Sequence, residues 1–168
     1  MRLFMPDLRV FRITDLTLDD IKSFGVKCII LDVDNTLSTH GGQIPLEGAV
    51  EWISLMAGNG YKMIILSNNF KKRVAPLAEK FGLEFVSFAM KPFPFGFFRA
   101  AKKLGCKRRE MLAIGDQIFT DVTGAHLAGI RAVRVDPISD ENEDFTIRIR
   151  RALEKSVLKR YDKKGRHR

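Results

Sequence analysis

The stretch Val26-Lys27-Cys28-Ile29-Ile30-Leu31-Asp32-Val33-Asp34-Asn35-Thr36 runs four consecutive apolar side chains straight into two carboxylates two residues apart. A short apolar run rich in β-branched residues, without polar alternation, reads as a strand buried on both faces, as in a parallel sheet. Core packing does not account for the aspartates at its end, because burying a carboxylate without a partner is costly. Residues i and i+2 leave a strand on the same side. Asp32 and Asp34 therefore enter the following loop together, and one can serve as a nucleophile while the other works as a general acid or base. A helix cap or turn is the plainer alternative for the pair.

The first strand is taken as Val26 to Leu31, and similar runs recur at Tyr61 to Leu66, Glu84 to Phe88, Met111 to Ile114 and Ile130 to Val135. Between them lie segments long enough for helices, at about 46–58, 70–81, 95–104 and 118–128, most of them closed by Gly60, Gly82, Gly105 or Gly129. An opening helix is expected from Leu18 to Phe24, with Thr17 as N-cap and Asp20 in capping-box position. Strands separated in turn by helices imply an α/β fold, a three-layer doubly wound parallel sheet. Such a sheet takes its ligands beyond the carboxyl ends of the strands. The first dozen residues show no clear period and carry no assignment.

Three further groups fall at or just past the ends of other strands: Ser67 before Asn68 and Asn69, Lys91 before Pro92, and Asp116 with Asp121. The topology gathers all of them along one edge of the sheet. Each also has a plainer use: Ser67 could cap the next helix, Lys91 could be a surface cation, and Asp121 could supply charge near a helix start. His40 and His126 have no partners in motif spacing and take no role, and Trp52 is expected in the core.

In chain order, Asp32-Val33-Asp34-Asn35-Thr36, Ser67, Lys91 and Gly115-Asp116 through Asp121 resemble the four motifs of the haloacid dehalogenase superfamily of phosphohydrolases, over roughly residues 25–136. More narrowly, the LDVDNTL, SNN, KP and GDQxxTDV forms, with Pro6 and Gly25-Val26-Lys27, are similar to the class IIIA, YqeG-like subgroup, which includes phosphatidylglycerophosphate phosphatases. The resemblance implies that Asp32 attacks phosphorus to give an aspartyl phosphate, and that Asp34 protonates the leaving oxygen and then deprotonates water. It implies that Lys91 neutralises charge. It also implies Mg²⁺ as cofactor, held by Asp32, Asp116 and the main-chain carbonyl of Asp34. Thr36, Ser67 and Asn68 would bind the phosphoryl oxygens, and Asp121 would support the metal or Lys91 from behind. On this reading residues 1–144 form the phosphatase domain with an N-terminal lead-in, and 145–168 form a basic C-terminal helix and tail.

Length and composition fit one domain: 168 residues, 45% hydrophobic and 29% charged. No apolar run approaches the roughly 18 residues of a membrane span, and the N-terminus lacks the apolar centre of a signal peptide, so a cytoplasmic protein is expected. Cys28 and Cys106 lack redox or zinc spacing, and Cys28 reads as a structural thiol. From Thr146 to Arg168 ten basic residues stand against Glu154 and Asp162, a surplus of eight within a net charge of +9. Such a tail suits a polyanionic surface, either anionic lipid or nucleic acid, or simply aids solubility.

From Thr36 to Ser67 and from Ser67 to Lys91 there is room only for one helix-plus-strand crossover each, so the resemblance implies a capless, open site. An open site can accept a phosphate carried on something large. In Pro92-Phe93-Pro94-Phe95-Gly96-Phe97-Phe98, Phe97 and Phe98 are expected in the core and Phe93 and Phe95 on an exposed apolar rim. Phe145, Ile149, Ala152, Leu153 and Val157 form a helical stripe expected to pack on the domain, leaving a basic face for an anionic membrane. The combined reading is a phosphomonoester hydrolase, cytoplasmic and peripheral on the inner face of the membrane, with phosphatidylglycerophosphate as best substrate. The rival readings are a phosphatase of a soluble nucleotide or sugar phosphate, and a nucleic-acid- or ribosome-associated protein using its basic tail. The oligomeric state stays open.

Overall fold

The run Cys28–Leu31 forms β2, buried along its whole length, and pairs in parallel on both sides. Cys28 stands opposite Lys62 of β3 (Lys62–Leu66) and opposite Met111 of β5 (Met111–Gly115). The computed structural model describes residues 3–39, 42–138 and 152–159. Its sheet has six parallel strands in the order β1-β6-β5-β2-β3-β4, with β1 at Leu8–Val10, β4 at Glu84–Val86 and β6 at Arg131–Val135.

Alternation of side chains sorts the core into two layers. Ile29, Leu31, Leu112 and Ile114 face α2 (Ala49–Gly58) and α3 (Lys71–Phe81), meeting Trp52, Ile53, Met56, Val74 and Leu77. Cys28, Ile30, Met111 and Ala113 face α4 (Phe95–Leu104) and α5 (Thr123–Leu127), meeting Phe97, Ala100 and Ala125. The expected doubly wound, three-layer α/β architecture results. Trp52 is buried as expected, and its indole Nε1 donates to the Leu16 carbonyl at 2.7 Å. Helix α1 (Leu18–Ser23) carries the expected capping box: Asp20 N donates to Thr17 Oγ1 at 3.1 Å, and Thr17 N to the Asp20 carboxylate at 3.0 Å.

Several expectations need correction. Residues 8–10, unassigned from sequence, form edge strand β1, fixed by a two-pronged bond from Arg9 to Asp136 at 3.0 Å. The segment 118–128 opens with a π-helical turn, Ile118–Val122, before α5. Cys28 is no free thiol: it is disulfide-bonded to Cys106, 78 residues away, because pairing of β2 with β5 brings the start of β2 beside the chain entering β5. Phe97 is core, but Phe98 is exposed, with the Arg108 guanidinium 5.0 Å above its ring.

The C-terminal helix is seen over 152–159, and its buried side chains are Glu154 and Leu158. Leu153, expected in the packed stripe, is exposed. A buried acid replaces the apolar contact because Glu154 Oε1 accepts from Ile118 N at 2.6 Å and Phe119 N at 3.2 Å, the first amides of the π turn. Phe145, Ile149 and the remainder of the basic tail lie outside the described residues, as does His40. Among the described residues no helix is long and apolar enough to cross a membrane.

Candidate active site

Every predicted site residue follows a strand at the carboxyl edge of the sheet. Asp32 leaves β2 with its amide still donating to Ile114 O at 2.9 Å, which locks its backbone to β5. The chain then turns on Val33 O, which accepts from Thr36, Leu37 and Ser38, with Asn35 at φ 59°. Ser67 follows β3, Lys91 lies beyond β4, and Asp116 follows β5.

Lys91 stands at the centre. Its Nζ donates to Asp32 Oδ1 at 2.5 Å, Asp121 Oδ1 at 2.6 Å and Leu66 O at 3.0 Å. Asp121 uses its other oxygen to accept from Gln117 N at 3.0 Å. Its close approach requires a glycine beneath it, since a Cβ on Gly115 would lie 2.5 Å from Asp121 Cγ. Burial pushes the Asp32 carboxyl well above its usual value; the Lys91 ammonium opposes this, while Asp121, Asp116 and Asp34 reinforce it. Burial works against the Lys91 ammonium, but Asp121 and Asp32 outweigh it and hold its pKa above the usual lysine value. Lys91 is thus a fixed cation among acids.

Asp34, the partner aspartate, is held separately. Arg73 Nη2 donates to its Oδ1 at 2.6 Å and Asn69 Nδ2 to its Oδ2 at 2.7 Å. Asn68 spends its side chain on the Lys91 main chain, donating to Lys91 O at 3.1 Å and accepting from Lys91 N at 2.7 Å. Ser67 Oγ accepts from Asn69 N at 3.1 Å, and the N-cap of α3 is Phe70, so Ser67 does not cap that helix. The Thr36 hydroxyl is fully buried, with no hydrogen-bond partner among the described residues.

Asn69 and Arg73 were not read from the sequence, although one signal pointed to Arg73. The first turn of α3 holds Lys71, Lys72 and Arg73 and no acid, against the preference of a helix N-terminus for negative charge. Three cations placed there answer to something outside the helix, and for Arg73 that is Asp34. Glu154 was also missed as a brace of the loop that carries Asp121.

Carboxylate oxygens of Asp32, Asp116 and Asp121 lie within 4.8 Å of one another, all three residues buried. An all-oxygen, acid-rich set with one ammonium among it is a donor set for a hard divalent cation such as Mg²⁺.

A family model described as haloacid dehalogenase-like hydrolase matches residues 39–129, a span that includes Ser67, Lys91, Asp116 and Asp121. The chain is 34% identical over 164 residues to "Probable phosphatase YqeG" of Bacillus subtilis, covering 98% of this chain and 95% of that protein. It is 27% identical over 173 residues to "Phosphatidylglycerophosphate phosphatase 1, chloroplastic/mitochondrial" of Arabidopsis thaliana, covering 96% of this chain and 49% of that one. Among solved structures, NagD from E. coli K-12 is similar with a TM-score of 0.58 at 13% identity, over 71% of this chain and 93% of that one, a likeness of fold.

Proposed function

The chain belongs to the haloacid dehalogenase-like hydrolase family, and we propose that it is a phosphomonoester hydrolase using Asp32 as nucleophile, with a phospholipid phosphomonoester, phosphatidylglycerophosphate, as substrate. The observation that carries the reaction is the buried bridge from Lys91 Nζ to Asp32 and Asp121, set at the edge where such sheets bind ligands. The substrate assignment is supported by the Arabidopsis relative and by the exposed apolar residues beside the site.

Asp32 attacks phosphorus, an Asp32–phosphorus bond forms, and the ester oxygen departs with the bonding pair. Asp34 gives that oxygen a proton and later takes one from the water that cleaves the aspartyl phosphate. Arg73 and Asn69 hold the Asp34 carboxylate at two separate oxygens and fix its direction. Lys91 counters charge on the nucleophile and on the incoming phosphoryl group, and Asp121 and Asn68 position Lys91 from side chain and main chain. Ser67 and Thr36 supply hydroxyls for phosphoryl oxygens. Asp32 and Asp116, with the Asp34 main-chain carbonyl, would hold Mg²⁺, which when bound offsets the repulsion between carboxylate and phosphate.

Phosphate release should be measured from phosphatidylglycerophosphate in vesicles and from soluble phosphate esters, for wild type and Asp32→Asn. Wild type should favour the lipid, lose activity to chelator and regain it with Mg²⁺, while Asp32→Asn should be inactive on every ester. Asp32→Asn activity within about tenfold of wild type would exclude Asp32 as nucleophile, and preference for a soluble ester would exclude the lipid.

A further inference from the structure

We propose that the carboxyl edge around the catalytic residues is a docking surface for an anionic bilayer, whatever phosphate ester the site hydrolyses. Five apolar side chains are exposed there: Phe70 at 72%, Phe88 at 51%, Met90 at 44%, Phe93 at 61% and Phe95 at 58%. Phe70, Phe88, Met90 and Phe93 come from the loops that follow β3 and β4, the same loops that carry Ser67 and Lys91, and Phe95 opens α4 directly after. Phe70 and Phe88 stack with ring centroids 5.6 Å apart and planes 13° from parallel, and Phe88 N donates to Asn69 O at 2.8 Å, so the two loops present one platform.

The backbone holds this exposure at a cost. Phe88 at φ 47° and Met90 at φ 56° both occupy the left-handed region, which any side chain with a Cβ resists. Between them Ala89 is buried against α4, where a Cβ on Gly96 would lie 2.7 Å from its carbonyl oxygen. The Arg99 guanidinium donates to Ser87 O at 2.5 Å and secures the loop from the helix side. Two large apolar side chains are thus turned outward by a pinned loop.

Charge decides what covers them. No Asp or Glu occurs from Ser67 to Ala78 or from Phe85 to Arg109. Lys71 and Lys72 are exposed immediately beside Phe70, in a helix turn where the macrodipole disfavours cations. A second copy meeting this face about a two-fold axis would set these acid-free segments and their exposed lysines against the same acid-free segments, with no carboxylate from either to pair them. A bilayer with anionic headgroups instead accepts aromatic tips at its interface and lysines among its phosphates, and the field of each cation counts there.

The test is co-sedimentation of the full chain with vesicles of phosphatidylcholine alone and of phosphatidylcholine with an equal part of phosphatidylserine, which holds no phosphomonoester for the site. Wild type should sediment with the anionic vesicles. Phe70→Ser/Phe93→Ser/Phe95→Ser should lower that partitioning about tenfold or more at unchanged net charge. Lys71→Gln/Lys72→Gln should lower it too and flatten its dependence on salt. Both variants should keep wild-type turnover of a soluble aryl phosphate, which reads the site without a membrane and separates failure of this surface from failure of the reaction. Equal sedimentation of wild type and the serine variant would overturn the proposal. So would absence of wild-type binding to anionic vesicles, or a lipid-free dimer that the serine substitutions abolish.

Discussion

Replacing Lys91 with methionine keeps a flexible side chain and deletes the one charge at the centre of the acid cluster. The ammonium, its side chain 4% exposed, lies 2.5 Å from Asp32 and 2.6 Å from Asp121. Breaking a buried pair by removing one partner costs about 3–5 kcal/mol, because the other charge stays behind without compensation. In metal-free protein this loss should have a definite pH dependence. Asp32 is already held above its ordinary value of 3.8 by burial and by neighbouring acids, and the ammonium opposes that rise. Without Lys91 the folded state binds a proton that the unfolded state has released, so stability falls as pH rises above the ordinary carboxylate value. The slope approaches about 1.4 kcal/mol per pH unit for one whole proton. Mg²⁺ should restore about 2.7 kcal/mol at a hundredfold excess over its Kd. Urea unfolding followed by fluorescence of Trp52, the sole tryptophan, reads all of this. A loss below about 1 kcal/mol, the range of an exposed pair, with no response to pH or Mg²⁺, would refute the reasoning.

Asp34→Asn should slow alkyl phosphate hydrolysis by about 10²–10⁴ and aryl phosphate hydrolysis far less, since an aryl leaving group needs little protonation; equal losses in steady-state rates would remove Asp34 from that role. Glu154→Ala strands the amides of Ile118 and Phe119 and should cost about 1–3 kcal/mol in urea unfolding, whereas Glu154→Gln keeps an acceptor and should recover most of it. Asp136 is half-buried, which raises its pKa, but the Arg9 hydrogen bond and Arg134 charge outweigh burial and hold it below 3.8. Its contribution is therefore present above that value and lost as pH falls through the depressed one. Asp136→Asn should cost about 1.5 kcal/mol at neutral pH and weaken the acid limb of the stability profile.

Most of the candidate site was legible in the sequence because Asp32, Ser67 and Asp116 follow buried strands, and a buried parallel strand announces itself as an uninterrupted apolar run ending in polar groups. β2, β3 and β5 are of that kind. β1 was not legible: it is three residues long, Leu8 and Arg9 are half-buried and only Val10 is core, and a strand held by the distant pairing of Arg9 with Asp136 has no local signature. The Arg73 bond to Asp34 and the Glu154 brace on the π turn that carries Asp121 come from α3 and from the 152–159 helix, whose approach only the tertiary packing fixes. Phe98 departs from the expectation because the buried face of α4 runs through Phe97, Ala100 and Ala101, and Phe98 falls off that face, exposed beside the Arg108 guanidinium.

The Cys28–Cys106 bond lies at the amino edge of the sheet, away from the aspartates, and closes a loop of 78 residues that contains Asp32, Asp34, Ser67 and Lys91 but neither Asp116 nor Asp121. By chain entropy, closing a loop of that length contributes about 4.5 kcal/mol, a large part of the roughly 5–15 kcal/mol that keeps a domain folded. The Lys91 bonds to Asp32 and Asp121 and the Arg73 bond to Asp34 run through neither cysteine, so reduction should leave their geometry in place. Oxidised and reduced molecules are then equal as catalysts and unequal in endurance: they turn over at one rate, and heat or protease removes the reduced form first.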